Sequence, residues 1–158
     1  MAVEINDQPV LDAFNRLLRM GEQPGPWLDE VGSILKKHIQ SGFETGTDPY
    51  GHPWAPLKSR QGNPLRDTGK LMNSVTYKVE GDTVVIGTID KRAPPHQFGA
   101  TIVPKQKPLL KFMVNGHWVS VHKVTIPARP MFPLAGLPPL WSEHVVSNLG
   151  DYVRTVIK

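Results

Sequence analysis

The sequence of 158 residues contains no cysteine. This absence excludes disulfide bonds, thiolate zinc sites and cysteine nucleophiles. Long hydrophobic runs are missing too, because no stretch approaches the ~20 apolar residues that are needed to cross a bilayer. Residues 1–10 carry two acidic side chains and lack the apolar core of a signal peptide. We therefore expect a soluble protein with no membrane partner.

The two charge signs are unevenly distributed along the chain. Residues 1–57 carry eight acidic and four basic side chains, net −4, whereas residues 58–132 carry four acidic and twelve basic, net +8. A basic region of this kind can face DNA or an acidic partner. The alternative is that solvated lysines cover exposed strands and loops. The candidates for DNA or partner contact are Lys58, Arg60, Lys105, Lys107 and Lys111.

Two amphipathic patterns open the chain. Residues 9–20 have helical spacing, with Asp7 as a candidate N-cap. A second helix is predicted from Pro26 to about Gln40, ended by Gly42. Residues 9–42 are thus predicted to form a helical hairpin. The apolar face of the first helix contains Val10, Leu11, Phe14, Leu17 and Leu18.

The next segment follows neither the helical nor the strand period. Residues 43–66 hold four prolines and several glycines, and we assign residues 43–74 to a long ordered loop. A loop of this length usually has a function. Its segment DPYG fits a turn that opens at Asp48. Trp54 and Leu57 are expected to pin the loop to the body, and Asp67 or Thr68 to start a short helical turn.

Strand patterns occupy residues 75–132. The stretches SVTYKVE and TVVIGTI predict a hairpin around the pair GD. The stretches LLKFMV and HWVSVHKVTI flank Asn115-Gly116, a strong hairpin signal. Residues 138–157 then predict a C-terminal helix.

This element order predicts one α+β domain spanning residues 1–158. We expect an antiparallel β-sheet of about four to five strands, built from two hairpins. Two N-terminal helices and one C-terminal helix would flank it.

The histidines and carboxylates form no recognisable catalytic pattern. There is no HExxH, GxSxG or phosphate-binding loop motif. His117 and His122 are five residues apart on one predicted strand, so they point to opposite faces. His52, His96 and Asp48 lie in loops and could meet, but nothing in their spacing requires a metal. We predict no catalytic residue, no metal and no cofactor.

The stretch APPHQFGATIVP, residues 93–104, is predicted to be a rigid corner leading into the second hairpin. Two prolines stiffen its approach, and Gly99 lets the backbone turn or come close to another chain. Phe98 is predicted to anchor the corner in the core. His96 and Gln97 are expected to form hydrogen bonds within the corner or to the 43–66 loop.

Arg129 lies between two prolines in a stiff, extended segment. Its guanidinium could fork onto a carboxylate or a helix C-terminus, tying the sheet to a helix, or reach a neighbouring subunit. The tryptophans are either core and loop anchors or, for one or two of them, interface residues. They are Trp27, Trp54, Trp118 and Trp141.

Four motifs occur in a fixed order: FETGTDPYGHPWAPLK, LRDTGKLMNSVTYKVEGDTVVIGT, PHQFGA and VTIPARPMF. With these motifs and a C-terminal helix, the sequence resembles the phage virion morphogenesis family, the tail completion proteins of Mu-like and related contractile-tailed phages. The resemblance covers roughly residues 10–158. The sequence departs from the family pattern in KRAPPHQFGA and in the extended hairpin of residues 104–123.

The resemblance implies a structural virion protein without enzyme activity, acting at the neck or the head-proximal end of the tail. It implies a homo-oligomeric ring, with a hexamer as the first guess and a dodecamer as the second. Neck, connector or tail-tube proteins and passing double-stranded DNA would be its partners. Its location would be the virion, and the host cytoplasm during assembly. The alternatives are a small basic nucleic-acid-binding module and, less favoured, a metal-dependent hydrolase.

Overall fold

The computed structural model describes residues 8–58 and 61–158. Helices and short strands alternate along this part of the chain. The elements are α1 (Gln8–Glu22), α2 (Gly25–Thr45), α3 (Lys70–Asn73), β1 (Val75–Glu80), β2 (Thr83–Thr88), α4 (Ala93–Phe98), β3 (Ala100–Ile102), β4 (Leu110–Val114), β5 (His117–Val121), β6 (Val124–Ile126) and α5 (Pro139–Ile157).

Both N-terminal helices are longer than the sequence pattern predicts. α1 begins at Gln8, and the proposed N-cap Asp7 lies outside the described residues. α2 continues through Gly42 and ends at Gly46, whose left-handed backbone has φ 73°. The prediction that Gly42 ends the helix is therefore wrong. Phe43, the next residue, is fully buried, and its packing outweighs the preference of glycine for a helix end.

The α+β class is confirmed, but the strands form three separate antiparallel pairs. These are β1 with β2, β3 with β6, and β4 with β5. The turn at Asn115-Gly116 is confirmed, with both residues at positive φ. The stretch after it is interrupted at His122, so that β6 leaves its hairpin and pairs with β3 instead. A single sheet of four to five strands is therefore not formed.

Helix α2 lies at the centre of the fold. The first hairpin and α5 both pack against it. β1 directs Val75, Tyr77 and Val79 to its more buried side, as the alternation predicts. The core cluster consists of Ile39, Phe43, Trp54, Leu71, Val75, Ala93, Met131 and Trp141.

Two short helices lie outside the long ones. The helical turn predicted after the long loop is α3, but it follows Gly69, which has φ 73°, so neither Asp67 nor Thr68 starts it. The first part of the rigid corner predicted at residues 93–104 is helix α4, because prolines in a first helical turn fit the helix and lose no hydrogen bond. Within the described residues, no helix is both long and apolar enough to cross a membrane.

The contact between α2 and β1 depends on a glycine. The ring of Tyr77 lies directly on Gly32, where an added Cβ would come within 2.2 Å of ring atom Cδ2 and 2.8 Å of Cγ. The whole ring, including its base, occupies the space that a side chain would need. Gly32 thus permits β1 to approach the central helix closely.

We expect Gly32→Ala to lower the free energy of unfolding by about 1–3 kcal/mol, because the Tyr77 ring must move. Gly150→Ala is the matched control. Gly150 lies in α5 with nothing near its Cβ position, and alanine should stabilise that helix by about 0.5–1 kcal/mol. Urea unfolding of both variants would measure this. Equal effects would contradict the close contact.

Candidate functional site

The long loop, helix α4 and residues 127–132 meet at one corner of the fold. We call α4, Gly99 and residues 127–132 together "the corner". The described residues of the loop between α2 and α3 form no regular element, apart from one isolated bridge between Thr47 and Pro53. Its position depends on side chains that bind backbone groups across the corner.

Gln97 joins α4 to the segment that follows β6. Its Oε1 accepts hydrogen bonds from the backbone N–H groups of Met131 and Phe132, at 2.8 and 3.0 Å. Its Nε2 donates to the Phe132 carbonyl at 2.8 Å. The side chain is buried, so these three bonds satisfy backbone groups that water does not reach.

Arg129 and Trp54 attach the long loop to the corner. The buried Arg129 guanidinium donates from Nε to the Ala55 carbonyl and from Nη2 to the Pro56 carbonyl, at 2.7 and 3.0 Å. Trp54 donates from its indole to the Pro130 carbonyl at 2.9 Å. The fork expected of Arg129 therefore grips two carbonyls of the loop, and neither a carboxylate nor a helix end.

Gly99 allows the two sides of the corner to approach. Its φ is 75°, and an added Cβ would lie 3.1 Å from the Ala128 nitrogen and 3.2 Å from the Ile126 carbonyl oxygen. Close to this contact, the Arg129 backbone N–H donates to the His96 carbonyl at 2.6 Å. The close approach predicted for Gly99 thus occurs within its own chain.

A cleft of about 210 Å³ opens beside this corner. It brings together Asp67, His96 and Arg129, which lie far apart in the sequence. Burial, and then the charges of Arg129 and Arg92, lower the pKa of His96, and the Asp90 charge opposes them only in part. The lining residues are Leu57, Leu65, Asp67, Thr68, Gly69, Lys70, Leu71, Arg92, His96 and Arg129.

Two cationic groups of the cleft, Arg92 and Arg129, are held by hydrogen bonds. Arg92 forms an ion pair with Asp90. Hydrogen bonds from the side chain and the backbone of Arg92 lower the pKa of Asp90 to about 2. Burial lowers the pKa of Arg129. Within residues 8–58 and 61–158, no carboxylate forms an ion pair with Arg129. The cleft therefore offers positive charge around one carboxylate, Asp67, in an arrangement suited to holding a loop.

Asp48 stabilises the turn at the start of the loop. Its Oδ1 accepts from the backbone N–H groups of Tyr50 and His52, at 2.8 and 2.9 Å. Burial acts to raise the pKa of Asp48, but hydrogen bonds from His52 and Tyr50 outweigh it and lower the pKa. The Tyr50 hydroxyl accepts from the Ala135 N–H and donates to the Gly136 carbonyl, both at 3.0 Å.

The proposed meeting of His52, His96 and Asp48 does not occur. His52 pairs with Asp48 at 3.0 Å, while His96 lines the cleft at the corner without them. In the part of the chain that the structure describes, no three His, Asp or Glu side chains are grouped so that they could hold a metal ion.

Comparison with known proteins assigns the chain to a family. The family model described as the phage virion morphogenesis family matches residues 5–154. The chain belongs to the phage virion morphogenesis family. This family is a structural family of the virion.

A curated relative extends the assignment along the whole chain. The "Mu-like prophage FluMu G protein 2" of Haemophilus influenzae is 30% identical over 157 residues, which cover 99% of this chain and 98% of the relative. The chain is therefore similar to a Mu-like prophage protein from end to end. No solved structure matches the chain significantly.

In this member of the family, one predicted anchor is replaced by its neighbour. Phe98 is 70% exposed, so its predicted place in the core is wrong. α4 turns Gln97 inward instead, and its side chain forms hydrogen bonds with residues 131–132 and with none of the described residues of the 43–66 loop. No local signal identifies a glutamine as buried, because its partners are backbone groups over thirty residues away.

The predicted basic residues lie on the surface where the structure describes them. Lys58 is exposed in the long loop, and Arg60 lies outside the described residues. Lys105, Lys107 and Lys111 are exposed before and on β4. Three of the five thus belong to one hairpin.

The tryptophans divide between core and surface. Trp54 and Trp141 are buried in the core cluster, and Trp27 is half-buried on α2. Trp118, on β5, is 72% exposed. The structure therefore identifies Trp54 and Trp141 as core anchors and Trp118 as a surface residue, a distinction that the sequence left open.

We expect Gln97→Ala to lower the free energy of unfolding by about 3 kcal/mol, because it leaves buried backbone groups without partners. Gln97→Glu keeps the two acceptor bonds but sets a buried carboxylate oxygen against the Phe132 carbonyl, so it should also be destabilising. Phe98→Ala is the matched control and should change the free energy by no more than about 0.5 kcal/mol. Urea unfolding would measure all three. A larger loss from Phe98→Ala would contradict the assignment.

Two histidines make stability depend on pH. Burial and the neighbouring His144 lower the pKa of His38, and the pKa of His96 is lowered as described above. The unfolded chain, with histidine near 6.5, then binds protons more readily than the folded chain. Stability is therefore fully present above that value and is lost as the pH falls through the lower, folded-state pKa values.

We expect the free energy of unfolding to fall as the pH is lowered from neutral through the histidine range. The double variant His38→Gln, His96→Gln should show a flatter profile, because both titrating groups are removed. His117→Gln, on the exposed hairpin, is the control and should keep the original profile. Denaturant unfolding across this pH range gives the measurement. Identical profiles for the double variant and the unchanged protein would contradict the assignment.

Proposed function

We propose that this chain acts in tail completion and head–tail joining, as a ring subunit at the neck or the head-proximal end of the tail. A hexamer is the first expectation and a dodecamer the second. The observation that carries this proposal is the family match along residues 5–154, supported by an end-to-end relative named as a Mu-like prophage protein. The protein would reside in the virion, and in the host cytoplasm during assembly.

The surface of the single chain supports a role in assembly. Large apolar side chains are exposed on α1, on the β4–β5 hairpin and near α4. Apolar surface left uncovered on several sides of one chain is typical of a protein that forms more than one contact. A ring subunit needs two different faces that meet when copies are related by rotation. Its other faces would contact connector or tail-tube proteins.

The charge pattern supports a position near DNA or an acidic ring. Residues 91–142 contain no acidic residue, and Lys105, Lys107 and Lys111 are exposed within this range. A ring that turned these lysines inward would line a passage for double-stranded DNA. If an assembled ring placed all three on its outer rim, this part of the proposal would be wrong.

Inactivation of the gene in its phage tests the proposal. We expect lysates of the mutant to contain filled heads and tails that are not joined, visible by electron microscopy. Supplying the unchanged chain should restore joined, infectious particles. Mutant lysates with joined particles in normal numbers would overturn the proposal.

The second candidate, a nucleic-acid-binding module, is favoured by the same lysines. It predicts that the isolated monomer binds duplex DNA with a steep salt dependence. Replacing Lys105, Lys107 and Lys111 by glutamine should then reduce the salt slope, by roughly one unit for each lost phosphate contact. Fluorescence anisotropy with labelled duplex gives the slope. Absence of binding by the monomer would eliminate this candidate.

A further inference from the structure

The β4–β5 hairpin has little support from its own fold. We call residues 104–123, which contain it, "the arm". The two strands pair with each other over five residues each, and neither packs extensively against a helix or another strand pair. No residue of the arm is buried. A two-stranded hairpin alone is marginally stable in water, so the arm needs a further contact.

One face of the arm carries two large apolar side chains side by side. Met113 and Trp118 are direct cross-strand partners, and they are 57% and 72% exposed. Lys111 and Ser120 are the next pair on this face, and both are exposed. Tryptophan is among the residues that most often dominate the energy of protein interfaces. The arm therefore presents an interface anchor that residues 8–58 and 61–158 leave without a partner.

Helix α1 also exposes apolar side chains. The apolar side chains of α1 span about half of its circumference, but the described residues of the chain pack against only part of this apolar half. Arg16 marks the covered side, because its Nη2 donates to the Ile157 carbonyl at the end of α5. Val10, Phe14 and Leu18 lie on the uncovered side, and Phe14 is 60% exposed. No residue of α1 is buried.

An apolar groove lies at the boundary between the covered and the uncovered parts of this apolar face of α1. It has a volume of about 300 Å³ and runs between α1 and the last turn of α5. Its lining contains no charged side chain and consists of Pro9, Val10, Ala13, Phe14, Leu17 and Ile157. A groove of this kind accepts a large apolar side chain.

Charge favours the arm as the occupant. The arm contains four lysines and no acidic residue, whereas residues 1–57 have a net charge of −4. Asp12 is exposed on α1, and two further acidic residues precede the helix in the sequence. The basic arm is therefore attracted to the acidic N-terminal region of another copy, and it is repelled by the basic middle region.

We propose that Trp118 and Met113 of one copy pack into the α1–α5 groove of a second copy. This inference rests on the proposed ring, for which it supplies the contact between neighbours. The two surfaces are different, so the contact is heterologous and repeats around a ring until the rotation closes. The exposed apolar strip of α1 spans about three helical turns, so its contact buries far less surface than a stable pair of proteins, which buries about 1,200 Å² or more. Isolated pairs are therefore weak, and closure is needed for a lasting assembly.

Cysteine cross-linking tests the contact cleanly, because the chain has no cysteine of its own. Ser120→Cys places a thiol on the outer face of the arm and keeps Trp118. Asn15→Cys places one beside the exposed face of α1 and keeps Phe14. We expect a mixture of the two variants, treated with a short bismaleimide, to give a Ser120–Asn15 cross-linked dimer, identified by mass spectrometry.

Second substitutions make the result specific. Trp118→Ala or Phe14→Ala should reduce the yield of the dimer on the order of tenfold or more, as for an interface anchor. Trp118→Phe should retain most of the yield. Val85→Ala, an exposed apolar residue on β2, is the matched control and should leave it unchanged. Higher salt should lower the yield, because the charges are exposed.

Other products would overturn the proposal. Ser120→Cys could instead react with Lys91→Cys, beside a second apolar groove lined by Ile89, Phe98 and Leu134. A dimer of Asn15→Cys with itself would mean that α1 pairs with α1. A ring seen by native mass spectrometry without the Ser120–Asn15 product would contradict the docking contact alone. Absence of both ring and product would contradict the proposed ring as well.

Discussion

The attachment of the long loop to residues 127–132 is the constraint on which the rest of the structure depends. The loop between α2 and α3 has local hydrogen bonds within its turns, but its attachment to residues 127–136 depends on Trp54, on Arg129 and on the Tyr50 hydroxyl. Because Trp54 and Met131 also belong to the core cluster, the same bonds that fix the loop complete the core around α2. Gln97 then fixes α4 against that segment.

Burial is concentrated at the centre and leaves the periphery for contacts with other molecules. Helix α2 contributes Ile39 and Phe43 to the core, whereas α1 and the β4–β5 arm contribute no buried residue. Peripheral elements with few internal contacts open or reorient at low free-energy cost.

Local patterns predicted the elements that depend on local signals. The Asn115-Gly116 turn, the alternation of Val75, Tyr77 and Val79, and the three long helices follow directly from spacing and turn chemistry. The candidate site was predicted only in part. Trp54 and Arg129 proved to be tethers, but Phe98 is exposed and Gln97 is buried, since the α4 conformation decides which of them faces inward.

The sequence by itself determined the α+β class, the absence of thiol chemistry, the uneven charge and, through ordered motifs, the family. Only the tertiary structure decided that β6 leaves its hairpin for β3, that Arg129 binds loop carbonyls, and that the described residues leave Trp118 and one face of α1 exposed. The physical reason is the range of the interactions. Turns and amphipathic periods are encoded within a few residues, whereas strand exchange, buried tethers and uncovered surface depend on residues brought together from distant parts of the chain.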